Sequence, residues 1–207
     1  VGGALTNRIA VTNQVSVVSA NGPARTLIVG QGPAGNDAVR CAYVAAGSRL
    51  SGFTLTNGHT RTTGDADRDQ SGAGAWCETG GAIEECTVRN NHAAQVGGGI
   101  KNGTVRNSSL CENSATDGGG AYGAWLSRCV LSNNLATGKG GGAYVSTLEN
   151  AWVVGNQADI GGGTAEGLLL HATVVDNHAM QSGGGVYRGM VSNSILYFNT
   201  AGSDWPN

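Results

Sequence analysis

Three carboxylates at alternate positions, Asp65, Asp67 and Asp69, are the densest set of potential cation ligands in this 207-residue chain. Hard oxygen ligands at such spacing can wrap Ca2+. The full twelve-residue calcium loop is not matched, because Gln70 stands where its glycine belongs and Trp76 where its bidentate glutamate belongs. Arg61 and Arg68 lie among the acids and can neutralise them instead. The segment therefore reads first as a solvated loop and second as a Ca2+ site, Ca2+ being the one cofactor the sequence suggests.

Other chemistry is sparse. Lyases and hydrolases of polysaccharides work with clustered carboxylates on adjacent coils, often with a bound cation and a basic residue. Glu112 and Asp176 share a repeat position but lie three coils apart, roughly 14 Å by the strand spacing. Glu84 with Arg106, and Glu166 with Arg188, read as ion pairs between neighbouring coils. His92 and His178 also share a position, four coils apart and too distant for one metal. No G-x-S-x-G nucleophile turn occurs. No catalytic residue is assigned. Trp76, Tyr122, Tyr144 and Tyr187 each follow a glycine cluster by two residues, with Lys101 and Ala165 interrupting the series. Strand alternation turns them outward. Tyr122 and Tyr144 are expected to stack face to face, and a glycan-contacting ridge is the alternative role for this column.

The elements that position these residues are written in a repeat. Glycine triplets at 97–99, 118–120, 140–142, 161–163 and 183–185 are 21 or 22 residues apart, and Gly72-Ala73-Gly74 is a less regular copy. Aligned on them, aliphatic pairs five residues apart fall into columns: Ile83/Val88, Val105/Leu110, Leu126/Leu131, Leu148/Val153, Leu169/Val174 and Val191/Leu196, with Leu50/Leu55 earlier. Between the members of each pair sits a small residue or a thiol: Cys86, Ser108, Cys129, Ala151, Ala172 and Ser194, with Phe53 at the N-terminal end. Asn91, Asn113, Asn134, Asn156, Asn177 and Asn199 form a further column, and Ala follows each by two. Such short alternating runs are strands with one buried face, and one coil cannot bury that face alone. The expected fold is all-β: a single-stranded right-handed parallel β-helix of about eight coils of 21–22 residues. The asparagines are expected to form a buried turn ladder, aided by their tolerance of left-handed backbone.

One domain is expected over residues 1–207, with irregular coils over 1–58, an inserted loop at 59–71 and regular coils over 72–207. Early strands are expected at Arg8–Val11, Val15–Val18 and Thr26–Val29. Aligning Val39-Arg40-Cys41 with Ala75-Trp76-Cys77 places Cys41 and Cys77 on adjacent strands, near enough for a disulfide or a packed thiol pair. Cys86 and Cys129 are expected buried and reduced.

The run GGGAY…LSNNLA at 118–136 and its copies resemble the glycine-rich repeats of polymorphic outer-membrane proteins, and LSGFTLTNG at 50–58 is similar to bacterial surface β-helix repeat proteins. The wider resemblance is to the pectate-lyase-like superfamily. It implies a β-helix, on which lyases, hydrolases, adhesins and passenger domains all occur.

Gly makes up 36 residues without a Gly-X-Y period, which excludes collagen. The net charge of -2 and the lack of a basic stripe disfavour nucleic acid. No apolar run reaches the roughly 18 residues of a membrane span. The chain begins at Val1 rather than Met, as a processed protein or excised piece does. The function expected is a non-enzymatic structural or adhesive solenoid, secreted or at a bacterial-type cell surface. It would associate with itself through open terminal coils, into filaments, or continue a longer chain. A polysaccharide-active lyase or hydrolase and a glycan-binding module are the alternatives.

Overall fold

The computed structural model describes residues 4–202. Among these residues the paired strands are all parallel, and they stack as a β-solenoid without helices. Three sheets hold eight strands each and a fourth holds five. Sheet 1 runs from Thr6–Val11 through Val39–Val44, Ala75–Cys77 and Ile100–Lys101 to Val186–Tyr187. Sheet 2 runs from Ser16–Val18 to Met190–Ser192, and sheet 3 from Leu27–Val29 to Ile195–Tyr197. Sheet 4 begins only at Ser114–Ala115.

The solenoid completes about six turns, not the eight expected. The regular coils begin with Ala75–Cys77. The two N-terminal layers still contribute strands, but they are enlarged: Thr6 pairs with Val39 and Ala42 with Ala75, 33 residues apart each time. The segments 19–26, 30–38 and 59–71 take up the extra length. The three early strands lie at Thr6–Val11, Ser16–Val18 and Leu27–Val29, close to their expected positions.

The core follows the aliphatic columns. Leu50, Leu55, Ile83, Val88, Val105, Leu110, Leu126, Leu131, Leu148, Val153, Leu169 and Val174 are all fully buried. Each stands in register with its counterpart one coil away, as Leu126 does with Val105 and Leu148. The small-residue column fits between them because sheets 2 and 3 meet at a sharp corner; Cys86, Ser108, Cys129, Ala151 and Ala172 are buried there.

The asparagine ladder is continuous. Asn156 Oδ1 accepts from the backbone N–H and from Nδ2 of Asn134, both at 2.9 Å. Asn156 Nδ2 donates to Leu131 O and to Asn177 Oδ1, again at 2.9 Å. The same pattern joins Asn91 to Asn113, Asn113 to Asn134 and Asn177 to Asn199. The left-handed backbone, however, falls one residue before this column: Asn90, Glu112, Asn133, Gly155, Asp176 and Phe198 have φ between 53° and 65°. The asparagines are selected for hydrogen bonding, not for turn conformation.

The first glycine of each triplet has a positive φ, 62° at Gly118 and 66° at Gly140. The second is excluded from bearing a side chain by contact: a Cβ on Gly141 would lie 2.3 Å from Gln157 O. Where the ladder stops, this corner changes. Gly58 replaces asparagine, donating its N–H to Asn91 Oδ1 at 2.8 Å, and Cys41 replaces the third glycine, its thiol turned to Thr56 O at 3.2 Å. One layer further, Arg8 reaches across the N-terminal end to Val29 O at 2.8 Å. A charged side chain set across an open edge discourages pairing with another chain. At the opposite end the columns emerge: Val191 is exposed and Leu196 only partly buried. Among the described residues no helix is long and apolar enough to cross a membrane.

Candidate functional site

The insertion at 59–71 folds back over the outward face of sheet 1, and two buried cations hold it there. Arg40 is 3% exposed. Its Nε donates to Gly72 O at 2.8 Å, one terminal nitrogen to Asn7 Oδ1 at 2.9 Å, and the other to Ser71 O at 2.7 Å and to Arg68 O. Burial pulls its pKa down to about 10, with Asp69 opposing the shift, so it stays charged at neutral pH. Lys101, also buried, pairs with Asp67 and places its ammonium 5.9 Å from the Trp76 ring centre and 5.8 Å from that of Tyr122. Trp76 completes the clamp by donating its indole N–H to Asp67 O at 2.9 Å.

This geometry separates the three aspartates. Asp65 Oδ1 accepts from the N–H groups of Asp67 and Arg68, an Asx turn. Asp67 goes to Lys101. Asp69 accepts from Leu5 N at 2.9 Å and from Asp65 N at 3.2 Å, and that first bond holds its pKa below the usual carboxylate range. Among the described residues no three His, Cys, Asp or Glu side chains are placed to hold a metal. In this arrangement each of the three aspartates has a partner in the loop, in Lys101 or at Leu5.

The outward column of sheet 1 is longer than its sequence pattern. Tyr43 pairs in register with Trp76, Trp76 with Lys101, Lys101 with Tyr122, and Tyr122 with Tyr144. Tyr43 and Trp76 are stacked, 5.7 Å apart and 17° from parallel. Tyr122 and Tyr144 do not stack face to face as expected; they meet edge to face, 5.6 Å apart at 65°. Lys139 lies over Tyr144 at 5.3 Å and Arg188 over Tyr187 at 5.2 Å. Rings in this column are therefore engaged by neighbouring rings and by cations.

Two recesses flank the loop. One, of about 210 Å3, is lined by Arg40, Tyr43, Arg68, Asp69, Trp76 and Glu78. The other, of about 360 Å3, is a shallow cleft lined in part by Asp67, Gln95, Lys101, Asn102 and Tyr122. The first is smaller than ordinary ligand pockets. Its Glu78 is engaged by the Tyr43 hydroxyl at 2.5 Å, which lowers the carboxyl pKa and raises that of the phenol.

Several pairings differ from the sequence-based expectation. Glu84 does meet Arg106, at 3.4 Å, and more closely Arg49, at 2.7 Å. Glu166 pairs with Lys139 at 2.9 Å, not with Arg188, whose guanidinium lies over Tyr187. Cys77 stands opposite Val44, so the alignment that matched it to Cys41 is three residues out of register. Both are free, buried thiols, each pushed up to about 12 by burial. Cys86 and Cys129 are free and buried as expected. His59 and His92 fall on adjacent coils with ring centres 5.9 Å apart, a proximity hidden because His59 opens the insertion. Burial, then His59, lowers the His92 pKa. Arg8, Arg40 and Tyr43 were not singled out by sequence. Matching Ala42 rather than Val39 to Ala75 sets Tyr43 beside Trp76.

Compared with known proteins, the chain matches no family model, no curated sequence and no solved structure.

Proposed function

We propose that this chain is a non-enzymatic β-solenoid of the cell exterior, secreted or displayed at a bacterial-type surface, where it serves as a stiff structural and adhesive element. The observation that carries this reading is how its outward carboxylates are used. Glu84 ties together Arg49 and Arg106 across three coils, Glu166 holds Lys139, Asp67 holds Lys101, and Asp65 and Asp69 cap loop amides. Each stabilises the scaffold locally, whereas hydrolysis of a glycosidic bond uses two carboxyl groups aimed at one bond. Kinship with the pectate-lyase-like superfamily, or with polymorphic outer-membrane repeats, is part of the proposal and rests on the repeat pattern alone. Filament growth through the ends would have to displace Arg8 from the N-terminal edge.

A glycan-binding role is the second reading. It is favoured by the cleft of about 360 Å3 beside the loop, where amide, ammonium and phenol groups converge. Displaying the chain on a non-adherent bacterium and measuring attachment to protein-coated and glycan-coated surfaces tests both. Attachment is expected without any soluble product. Cells that attach to nothing would remove the adhesive reading. Attachment to one glycan alone, lost with Asn102→Ala, would favour the second.

A further inference from the structure

The fold brings together two histidines that neither the core nor the clamp on the inserted loop uses. His59 opens the insertion and His92 stands beside it on the next coil, in parallel register, with ring centres 5.9 Å apart. The residues that follow them, Thr60 and Ala93, are buried, so strand alternation turns both imidazoles outward, within reach of an ion in solution. Hydrogen bonds between the two coils fix the backbone below the rings: His92 N–H donates to Gly58 O at 2.9 Å and Ala94 N–H to Thr60 Oγ1 at 2.8 Å. The preceding layer makes room for the His59 ring. Gly32 is not in the left-handed region, yet a Cβ there would lie 2.5 Å from Cε1 of His59 and 2.7 and 2.8 Å from its two nitrogens, which puts it over the face of the ring. Glycine there lets the ring lie against the layer below with its edges open.

Both rings present the same nitrogen. Nδ1 of His59 donates to Asn57 O at 3.2 Å; a carbonyl can only accept, so the proton is on Nδ1 and Nε2 carries a lone pair. Nδ1 of His92 meets the Ser114 hydroxyl on the following coil at 2.9 Å, a partner that can accept in the same way. The two nitrogens of an imidazole point to opposite sides of the ring, so Nε2 of His92 faces back towards the coil of His59. Neither Nε2 has a hydrogen-bond partner among the described residues. Metal-binding histidines are held in this manner, with one nitrogen anchored to set the tautomer and the other left free.

We propose that His59 and His92 form a two-histidine site for a divalent transition-metal ion of the zinc and copper class, bound through both Nε2 atoms with water completing its shell. An ion about 2.0–2.1 Å from each nitrogen stands roughly 3.2 Å from each ring centre, so two rings share it at separations from roughly 5.2 Å, at the tetrahedral angle, to roughly 6.4 Å, and 5.9 Å falls within that range. Imidazole ligands select such ions over Ca2+ and Mg2+, which take oxygen. Arg40 and Lys101 hold the later part of the insertion, and the metal would fasten its first residue to the neighbouring coil. With two protein ligands the site fills only when the metal is supplied, so the chain prepared without it responds to chelators as though the site were absent.

Zn2+ titrated at near-neutral pH into the untagged 207-residue chain, prepared without metal, tests the proposal by calorimetry and thermal melting. One Zn2+ per chain is expected, with a dissociation constant on the micromolar scale and a melting temperature raised by a few degrees. In nitrogen NMR of the side chains, the Nε2 resonances of both residues should shift together as Zn2+ is added. His59→Gln and His92→Gln should each weaken binding about tenfold or more while keeping the circular dichroism of the parent. His178→Gln should leave the affinity unchanged: its Nδ1 meets the Thr200 hydroxyl at 2.9 Å, as His92 meets Ser114, but its neighbours in register are Gln157 and Thr200. No binding at millimolar Zn2+, full-strength binding by either the His59 or the His92 variant, or an equal response to Ca2+ would overturn the proposal.

Discussion

Replacing Asn156 by Ala should destabilise the solenoid by about 3 kcal/mol, and the structure shows where this comes from. Asn156 is fully buried. Its Oδ1 is the acceptor for the Asn134 backbone N–H, at 2.9 Å. Removing it leaves a buried amide unpaired, worth about 1–3 kcal/mol, and the bonds from Nδ2 to Leu131 O and Asn177 Oδ1 add roughly 0.5–1.5 kcal/mol each. Loop relaxation and entry of water take some of this back, hence the central value. The neighbour Asn133 is exposed, and its φ of 54° makes Ala there cost about 1 kcal/mol through left-handed strain alone. The sound control is therefore Asn133→Gly, since Gly155 occupies the same position one coil on. Guanidinium denaturation of the three proteins, read as midpoint shifts at constant slope, makes the comparison. A loss for Asn156→Ala no greater than for Asn133→Gly would refute the ladder argument.

Gly141→Ala should cost at least about 3 kcal/mol or prevent folding, because its Cβ would press on Gln157 O and Gly162 O at 2.3 and 2.5 Å; thermal melting checks this. Arg40→Met should free the loop from Gly72, Ser71 and Arg68, detected as faster proteolysis within 59–71 while the rest of the chain resists. Chelators should leave the melting temperature unchanged, whereas a fall on chelation that Asp67→Ala abolishes would restore a Ca2+ site. The lowered pKa of His92 makes its neutral form the one compatible with the fold. Its contribution is therefore intact above the ordinary value of 6.5, falls as pH drops below it and levels off below the folded pKa; His59→Gln should flatten part of that loss in melting temperature between pH 7 and 5.

The regular coils were legible because the physics repeats. Every coil faces the same problem at the same position, so Leu, Asn and Gly recur at fixed intervals and columns can be read without coordinates. The N-terminal layers solve the same problem once each. Cys41 takes a glycine's place only because Gly58 takes an asparagine's, and no period announces that exchange. The repeat pattern accordingly sets Val39–Val44 three residues out of register, and the expected Cys41–Cys77 pairing falls with it. At the loop, the acids were visible but their partners were not. Arg40 and Lys101 lie 25 or more residues from their loop contacts in the chain, and only folding brings them beneath it. The outward aromatic column was foreseen in position, but ring orientation depends on Lys101 and Lys139, which sequence alone did not place over the rings.

The central claim is that this solenoid holds and adheres but does not cut. Incubating the chain with a panel of neutral and acidic polysaccharides, with and without Ca2+, and measuring new reducing ends and unsaturated products tests it most directly. The account predicts no product above the level of the heat-denatured chain on any substrate. Sustained turnover of one polysaccharide, abolished by Asp67→Ala or Glu166→Gln in a variant that still folds, would contradict it.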